Sequence, residues 1–151
     1  MLAYTSTNER VMVMGYIEVT GGVKHQREIA EQTVVAMMRK LLPRIRQIQI
    51  EVKIKKNLEK VHGGMAFCLE VEPRKFEIEV EKDLGLRDFV TAICHEMVHV
   101  KQGVRGELTN KLGFQYWKGR KCEKDYWEQP WEKEAYRLQD KLGQYVWENI
   151  L

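Results

Sequence analysis

Between Gly21-Gly22 and Pro43, apolar residues Ala30, Val34, Met37, Met38 and Leu41 recur every three or four positions, which predicts an amphipathic helix over roughly residues 25–42. The period then changes to two. From Arg46 to Ile54, Ile48, Ile50, Val52 and Ile54 alternate with Gln47, Gln49, Glu51 and Lys53, the pattern of a strand with one buried face. Beyond His62-Gly63-Gly64, Phe67, Leu69 and Val71 alternate with polar or small residues, and after Pro73-Arg74 so do Phe76, Ile78 and Val80. Two strands and a tight turn make a hairpin. The hairpin is expected to present an edge strand, with Glu77, Glu79 and Glu81 discouraging pairing between copies.

Helical spacing returns from Leu86 to Val104, where Phe89, Val90, Ile93, Met97 and Val100 share a side and Gly103 and Gly106 supply the stop. A last helix runs from about Pro130 to Trp147, with proline in the first turn and Trp131, Ala135, Leu138, Leu142, Tyr145 and Val146 as its apolar stripe. Leu112 to Cys122 reads equally as a short strand pair or a loop. The expected architecture is a single α+β domain over residues 1–151, a small mainly antiparallel sheet packed against the first helix and the helix of residues 86–104.

Composition narrows the class without changing this picture. A 44% hydrophobic and 31% charged chain is ordinary for a globular protein, which argues against disordered or fibrous structure. The first residues lack a basic stretch followed by an apolar run, and no stretch is long and apolar enough to span a bilayer. With three cysteines, an odd number, and no Cys-x-x-Cys spacing, a reducing cytoplasmic setting is expected. The net charge of +3 is small, so a nucleic-acid partner is not expected, although Lys53-Ile54-Lys55-Lys56 and Lys118-Gly119-Arg120-Lys121 concentrate charge locally.

The chemistry lies in His95-Glu96-Met97-Val98-His99. Histidines four apart on a helix project from one side, so both imidazoles reach a single metal ion, while Glu96, about 100° around the wheel, reaches a water on that ion without binding it. The pair lies opposite the apolar arc centred on Ile93 and Met97. A tetrahedral zinc site with an open position needs a third protein ligand. No histidine follows His99, which leaves carboxylates, Cys122, or the upstream His25 and His62. Glu134 and Glu132 flank the apolar stripe of the last helix on opposite sides, and the wheel separates them little. Trp131 is expected in the core, and Trp117 or Trp127 on a cleft wall; Tyr116, Tyr126 and Tyr136 are candidate oxyanion donors.

These features resemble the small gluzincin-type metallopeptidases of the ImmA/IrrE-like kind found in phages and bacteria. The resemblance spans about residues 65–145 and rests on the His-Glu-x-x-His element, the hairpin before it, and Glu134-Ala135 opening a later helix. It implies a zincin-like fold, zinc as cofactor, and a protein or peptide substrate. It also implies that the glutamate of the Glu-Ala step is the third ligand, which selects Glu134 beside His95 and His99, with Glu96 as general base. The family's Glu-Ala-Asn-x-Phe-Ala pattern reads Glu134-Ala135-Tyr136-Arg137-Leu138-Gln139 here. The alternative function is an idle zinc-binding module that recognises a protein or nucleic acid through its basic segments.

Overall fold

The computed structural model describes residues 2–4, 15–59 and 64–151; His62 lies outside them. Five strands, β1 (Leu2–Tyr4), β2 (Gly15–Gly21), β3 (Ile48–Lys55), β4 (Ala66–Glu72) and β5 (Lys75–Glu81), form one sheet in the order β1-β2-β3-β5-β4. A second sheet follows the middle helix and comprises β6 (Leu108–Lys111), β7 (Phe114–Trp117) and β8 (Arg120–Cys122). The helices are α1 (Lys24–Leu41), α2 (Leu86–Val104) and α3 (Pro130–Asn149), with one 3-10 turn at Tyr126–Glu128. The class is α+β, as the periodicities predict.

The larger sheet is mixed rather than mainly antiparallel. Its outer pairs, β1 with β2 and β4 with β5, are antiparallel, but β2–β3 and β3–β5 are parallel. The difference arises at β2, whose segment offers only Ile17 and Val19 as alternating apolar residues between glycines and so gives little periodic signal. With β2 in place, α1 becomes the crossover of a β2-α1-β3 unit, which forces that pair to be parallel.

One face of the sheet carries the helices. Ile48, Ile50, Val52 and Ile54 of β3 and Phe76, Ile78 and Val80 of β5 are all 4% exposed or less and pack in one cluster with Ala30, Val34 and Met37 of α1 and Phe89, Ile93 and Met97 of α2. Burying each such large side chain contributes about 1.5–3 kcal/mol. The other face is polar along β3 and β5, where Lys53 pairs with Glu77 at 3.2 Å and Lys55 with Glu79 at 2.7 Å across strands.

In β4 the apolar alternation points the unexpected way. The register sets Ala66, Cys68 and Glu70 beside Val80, Ile78 and Phe76 on the helix side, so Leu69 and Val71 lie on the open face, 61% and 42% exposed. The edge strand is β4, whereas β5 with Glu77, Glu79 and Glu81 is interior. The carboxylates that border the outer edge among the described strands are therefore Glu70 and Glu72, not those three. Glu81 is instead buried and accepts the backbone N–H groups of Leu58 at 2.9 Å and Asp83 at 3.1 Å, which hold its carboxyl below the usual range.

α3 packs antiparallel on the outer side of α2, which buries α2 on both sides: Gly143 meets Thr91 early in α2, and Trp131 and Glu134 meet Gln102 near its end. A Cβ at Gly143 would stand 2.7 Å from Thr91 Oγ1 and 3.4 Å from its Cα, so glycine sets how closely the helices approach. Replacing Gly143 by Leu is expected to lower the unfolding free energy by about 1–3 kcal/mol through overpacking. Urea denaturation followed by circular dichroism checks it; an unchanged midpoint would show that the helix pair has slack at this point.

Candidate metal centre

The α2–α3 seam changes character along its length. Trp131, Ala135, Leu142 and Val146 make it apolar, but Glu132, Tyr136, Gln139 and Gly143 follow at i, i+4, i+7 and i+11 and turn a second stripe toward the side of α2 that carries His95 and His99. His95 Nε2 lies 3.0 Å from Glu132 Oε1, and His99 Nε2 lies 3.1 Å from Glu132 Oε2. One ligand atom from each of these three residues falls within 4.8 Å of the others. His95 and Glu132 are only 6% and 8% exposed.

Glu134 is not the third member of this group. Its Oε1 accepts from Lys101 Nζ at 3.0 Å and Gln102 Nε2 at 2.9 Å, one turn farther toward the end of α2. The correction is a matter of rotation about α3: burial of Trp131 and Ala135 against α2 turns position 132 to the imidazoles and position 134 to the lysine. The Glu-Ala step pointed to Glu134, whereas the residue grouped with the imidazoles is Glu132. Cys122 on β8 and His25 in α1 are also not part of the group. Its signal in the sequence was the i, i+4, i+7 spacing of Glu132, Tyr136 and Gln139.

Two glutamines that sequence reasoning passed over orient the imidazoles. His95 Nδ1 is 2.7 Å from Gln139 Oε1, and His99 Nδ1 is 2.8 Å from Gln102 Oε1. Gln102 is fully buried, and its Nε2 donates to both Trp131 O at 3.0 Å and Glu134 Oε1 at 2.9 Å. Two acceptors on one side fix which end of the amide is nitrogen, so the oxygen faces His99 and Nδ1 must carry the hydrogen. The His99 Nε2 lone pair is thereby directed at the Glu132 carboxylate. Acceptor facing acceptor in a buried site calls for a cation between them, either a proton or a metal ion. Two imidazoles and a carboxylate are a nitrogen and oxygen set that fits a divalent ion, so His95, His99 and Glu132 could bind a metal ion.

The electrostatics agree. Burial works against ionising Glu132, but the hydrogen bonds and charges of His95 and His99 prevail and hold its carboxyl at about 2. Burial likewise opposes protonation of His99, and its contacts with Glu132, Glu96 and Gln102 outweigh this and raise its pKa. Glu96, 6% exposed, is shifted upward by burial and by Glu132 against the opposing pull of His99 and His95.

The group opens onto a cleft of about 700 Å3 between Gly64–Cys68 of the β4 edge and an aromatic wall of Tyr126, Trp127 and Tyr136. Tyr126 Oη donates to Glu132 Oε1 at 3.1 Å, Tyr136 Oη meets Tyr126 Oη at 3.1 Å, and the Tyr136 ring stands edge-on to His95 at 4.6 Å. Burial, Tyr136 and Glu132 push the Tyr126 phenol upward, so it remains a donor. Tyr116 lies on the second sheet instead. Trp127 walls the cleft, Trp131 is core as expected, and Trp117 packs toward Trp131 at 6.3 Å between rings rather than lining the cleft. Cys68 also borders the cleft, but burial and the nearby Glu96 raise its thiol far above the range in which a thiolate forms.

Metal affinity tests this arrangement directly. Glu132→Ala is expected to abolish tight binding, and Gln102→Leu to weaken it about 10–100-fold by releasing the His99 ring. Glu134→Ala, which leaves Trp131 O to orient Gln102, should cost less than either. Competition with a chromogenic chelator ranks the three; a loss confined to Glu134→Ala would restore the ligand to position 134. Because the raised His99 pKa means that a proton must leave before a metal enters, affinity should also rise with pH through that pKa, above the ordinary 6.5. A flat profile over this range would show that His99 is not a ligand.

Among the described residues, no helix is long and apolar enough to cross a membrane. Comparisons with protein-family models, with curated proteins and with solved structures each return no match for this chain, so the geometry of the centre carries its functional reading alone.

Proposed function

We propose that the protein is a zinc-dependent metallopeptidase in which His95, His99 and Glu132 hold the ion and Glu96 is the general base. The observation that carries this reading is Glu96 itself. It is a buried carboxylate with a raised pKa, one residue from His95 and lining the same cleft, yet outside the three-residue group. A purely structural metal site has no use for a second acid at that position, whereas a hydrolase requires a proton acceptor there. Bound to these ligands, zinc supplies an activated water and polarises the carbonyl to be attacked.

The chain's own residues do the rest. Glu96 accepts a proton on its carboxylate oxygen and returns it to the departing amine; its raised pKa narrows the gap between the two tasks. Gln102 and Gln139 hold the imidazoles by Nδ1, and Tyr126 keeps Glu132 in place from the solvent side. Tyr136, whose hydroxyl can leave Tyr126 for a developing oxyanion, is the better placed of the two phenols to donate to substrate. Among the described residues no strand pairs with the outer edge of β4, and an extended peptide that added to it there would lie across the centre. A second hollow of about 620 Å3, bounded by Leu69 to Pro73 and by Leu108 to Asn110, shares Cys68, His99 and Glu132 with the cleft and continues the path along β4.

This reading keeps the resemblance to the small gluzincin-type enzymes in its essential elements, with the third ligand moved two residues toward the start of the helix. Glu96→Gln is expected to leave metal content nearly unchanged while cutting hydrolysis of an unfolded protein substrate at least ~100-fold. Zinc analysis together with a chelator-controlled protease assay measures both. Loss of zinc from the variant would make Glu96 a ligand, and full activity would remove it from the chemistry; wild-type protein that binds zinc but hydrolyses nothing would favour the idle binding module.

A further inference from the structure

The small β6–β8 sheet has no part in the chemistry above, although one of its faces borders the second hollow. Its other face is unlike the rest of the surface. The register pairs Lys111 with Phe114 and Tyr116 with Lys121, so these four side chains share one side. Lys121 Nζ sits 3.7 Å from the Phe114 ring centre and Lys111 Nζ 5.8 Å from that of Tyr116. Trp117, on the opposite side, faces Trp131 and the body of the protein.

We propose that this outward face binds single-stranded nucleic acid. Charge is the first argument. Residues 108–124 hold five Lys or Arg against one acidic residue, Glu123, a net +4 within a chain of +3, so the remainder of the molecule is close to neutral. The small total had argued against such a partner only because it averages over the chain. The net positive excess lies in one appendage, whose outward face carries Lys111 and Lys121 beside the rings of Phe114 and Tyr116, where they can meet a phosphate backbone.

The second argument is the aromatic content. Phe114 is 42% exposed on a sheet face flanked by lysines, and an aromatic ring between cations is the arrangement on which a base stacks while its neighbouring phosphates are neutralised. An exposed ring on a three-stranded face suits unstacked bases, whereas the bases of a duplex are already stacked on one another.

The third is the hairpin tip. Leu112 is 98% exposed and holds a φ of +52°, with Gly113 at +83° beside it, in a two-residue turn that favours Asn-Gly. A leucine there adds strain and contributes no burial, so folding does not account for it. At the end of a basic and aromatic face it provides an apolar contact for a base or sugar.

The probe is a fluorescein-labelled oligothymidylate of about 20 nucleotides, titrated with the full chain and followed by anisotropy over about 25–200 mM salt. Wild-type protein should bind with an affinity that falls steadily with salt. Lys111→Glu/Lys121→Glu should weaken binding at least ~10-fold and flatten the salt slope by about 1.4, since each phosphate contact on a single strand contributes about 0.7. Phe114→Ala should weaken it about tenfold with the slope unchanged, and Phe114→Tyr should restore it. Lys24→Glu/Arg44→Glu, an equal change of charge at exposed sites elsewhere, should have little effect. The proposal is overturned by absence of binding at the lowest salt, by equal losses in the two charge-reversed variants, by preference for a duplex of the same sequence, or by polyglutamate of matched charge competing equally, which would assign the face to an acidic protein. Protease activity enters none of these readouts, so failure here and failure of the metallopeptidase reading are separate results.

Discussion

The antiparallel contact between α2 and α3 is the constraint on which the centre depends. Neither helix carries a site alone: α2 contributes two imidazoles that present Nε2, and α3 contributes the facing carboxylate and one orienting amide. Gly143 against Thr91 sets the separation at one end of the seam. At the other, the buried amide of Gln102 joins the helices through Trp131 O and Glu134. Between these points a single rotation of α3 decides whether residue 132 or residue 134 meets the histidines. A buried polar side chain with every hydrogen bond satisfied tolerates few rotations, and this is how a seam of modest length specifies a donor geometry.

The same contact explains why some features were legible in the sequence and others were not. Helices α1, α2 and α3 and strands β3 and β5 announce themselves through periodicity, since each buries one face in a common core, whereas β4 shows an alternation whose Leu69 and Val71 face away from that core. The strand β2 does not, because seven residues with two alternating apolar positions leave no distinct period, and without it the parallel pairing of β3 is invisible. His95, Glu96 and His99 were legible because their spacing is local to one helix. Glu132 was not separable from Glu134, since both flank the apolar stripe and the choice between them belongs to the partner helix. Gln102 and Gln139 were overlooked because a glutamine is an unremarkable surface residue until its burial is known.

The aromatic wall and the two hollows give the centre an asymmetric setting. On one side of His99 and Glu132, Tyr126, Trp127 and Tyr136 pack edge-on or tilted at ring separations of 5.0–6.4 Å. On the other, Glu70 and Glu72 border the path, and among the described residues no lysine or arginine lines it. A chain drawn across the centre therefore meets an apolar environment at one end and a negative one at the other, which gives its direction a physical meaning.

The outer edge of β4 has a consequence for the protein's own company. An edge that no other described strand covers is open to the same strand of a second molecule, and Leu69 and Val71 beside it are exposed enough to reward such a union. Antiparallel self-pairing would bring the carboxylates at positions 70 and 72 of one copy against those of the other, a juxtaposition that like charges penalise. An extended guest without acids at those positions meets no such penalty, so the edge discriminates between strangers and siblings by charge alone.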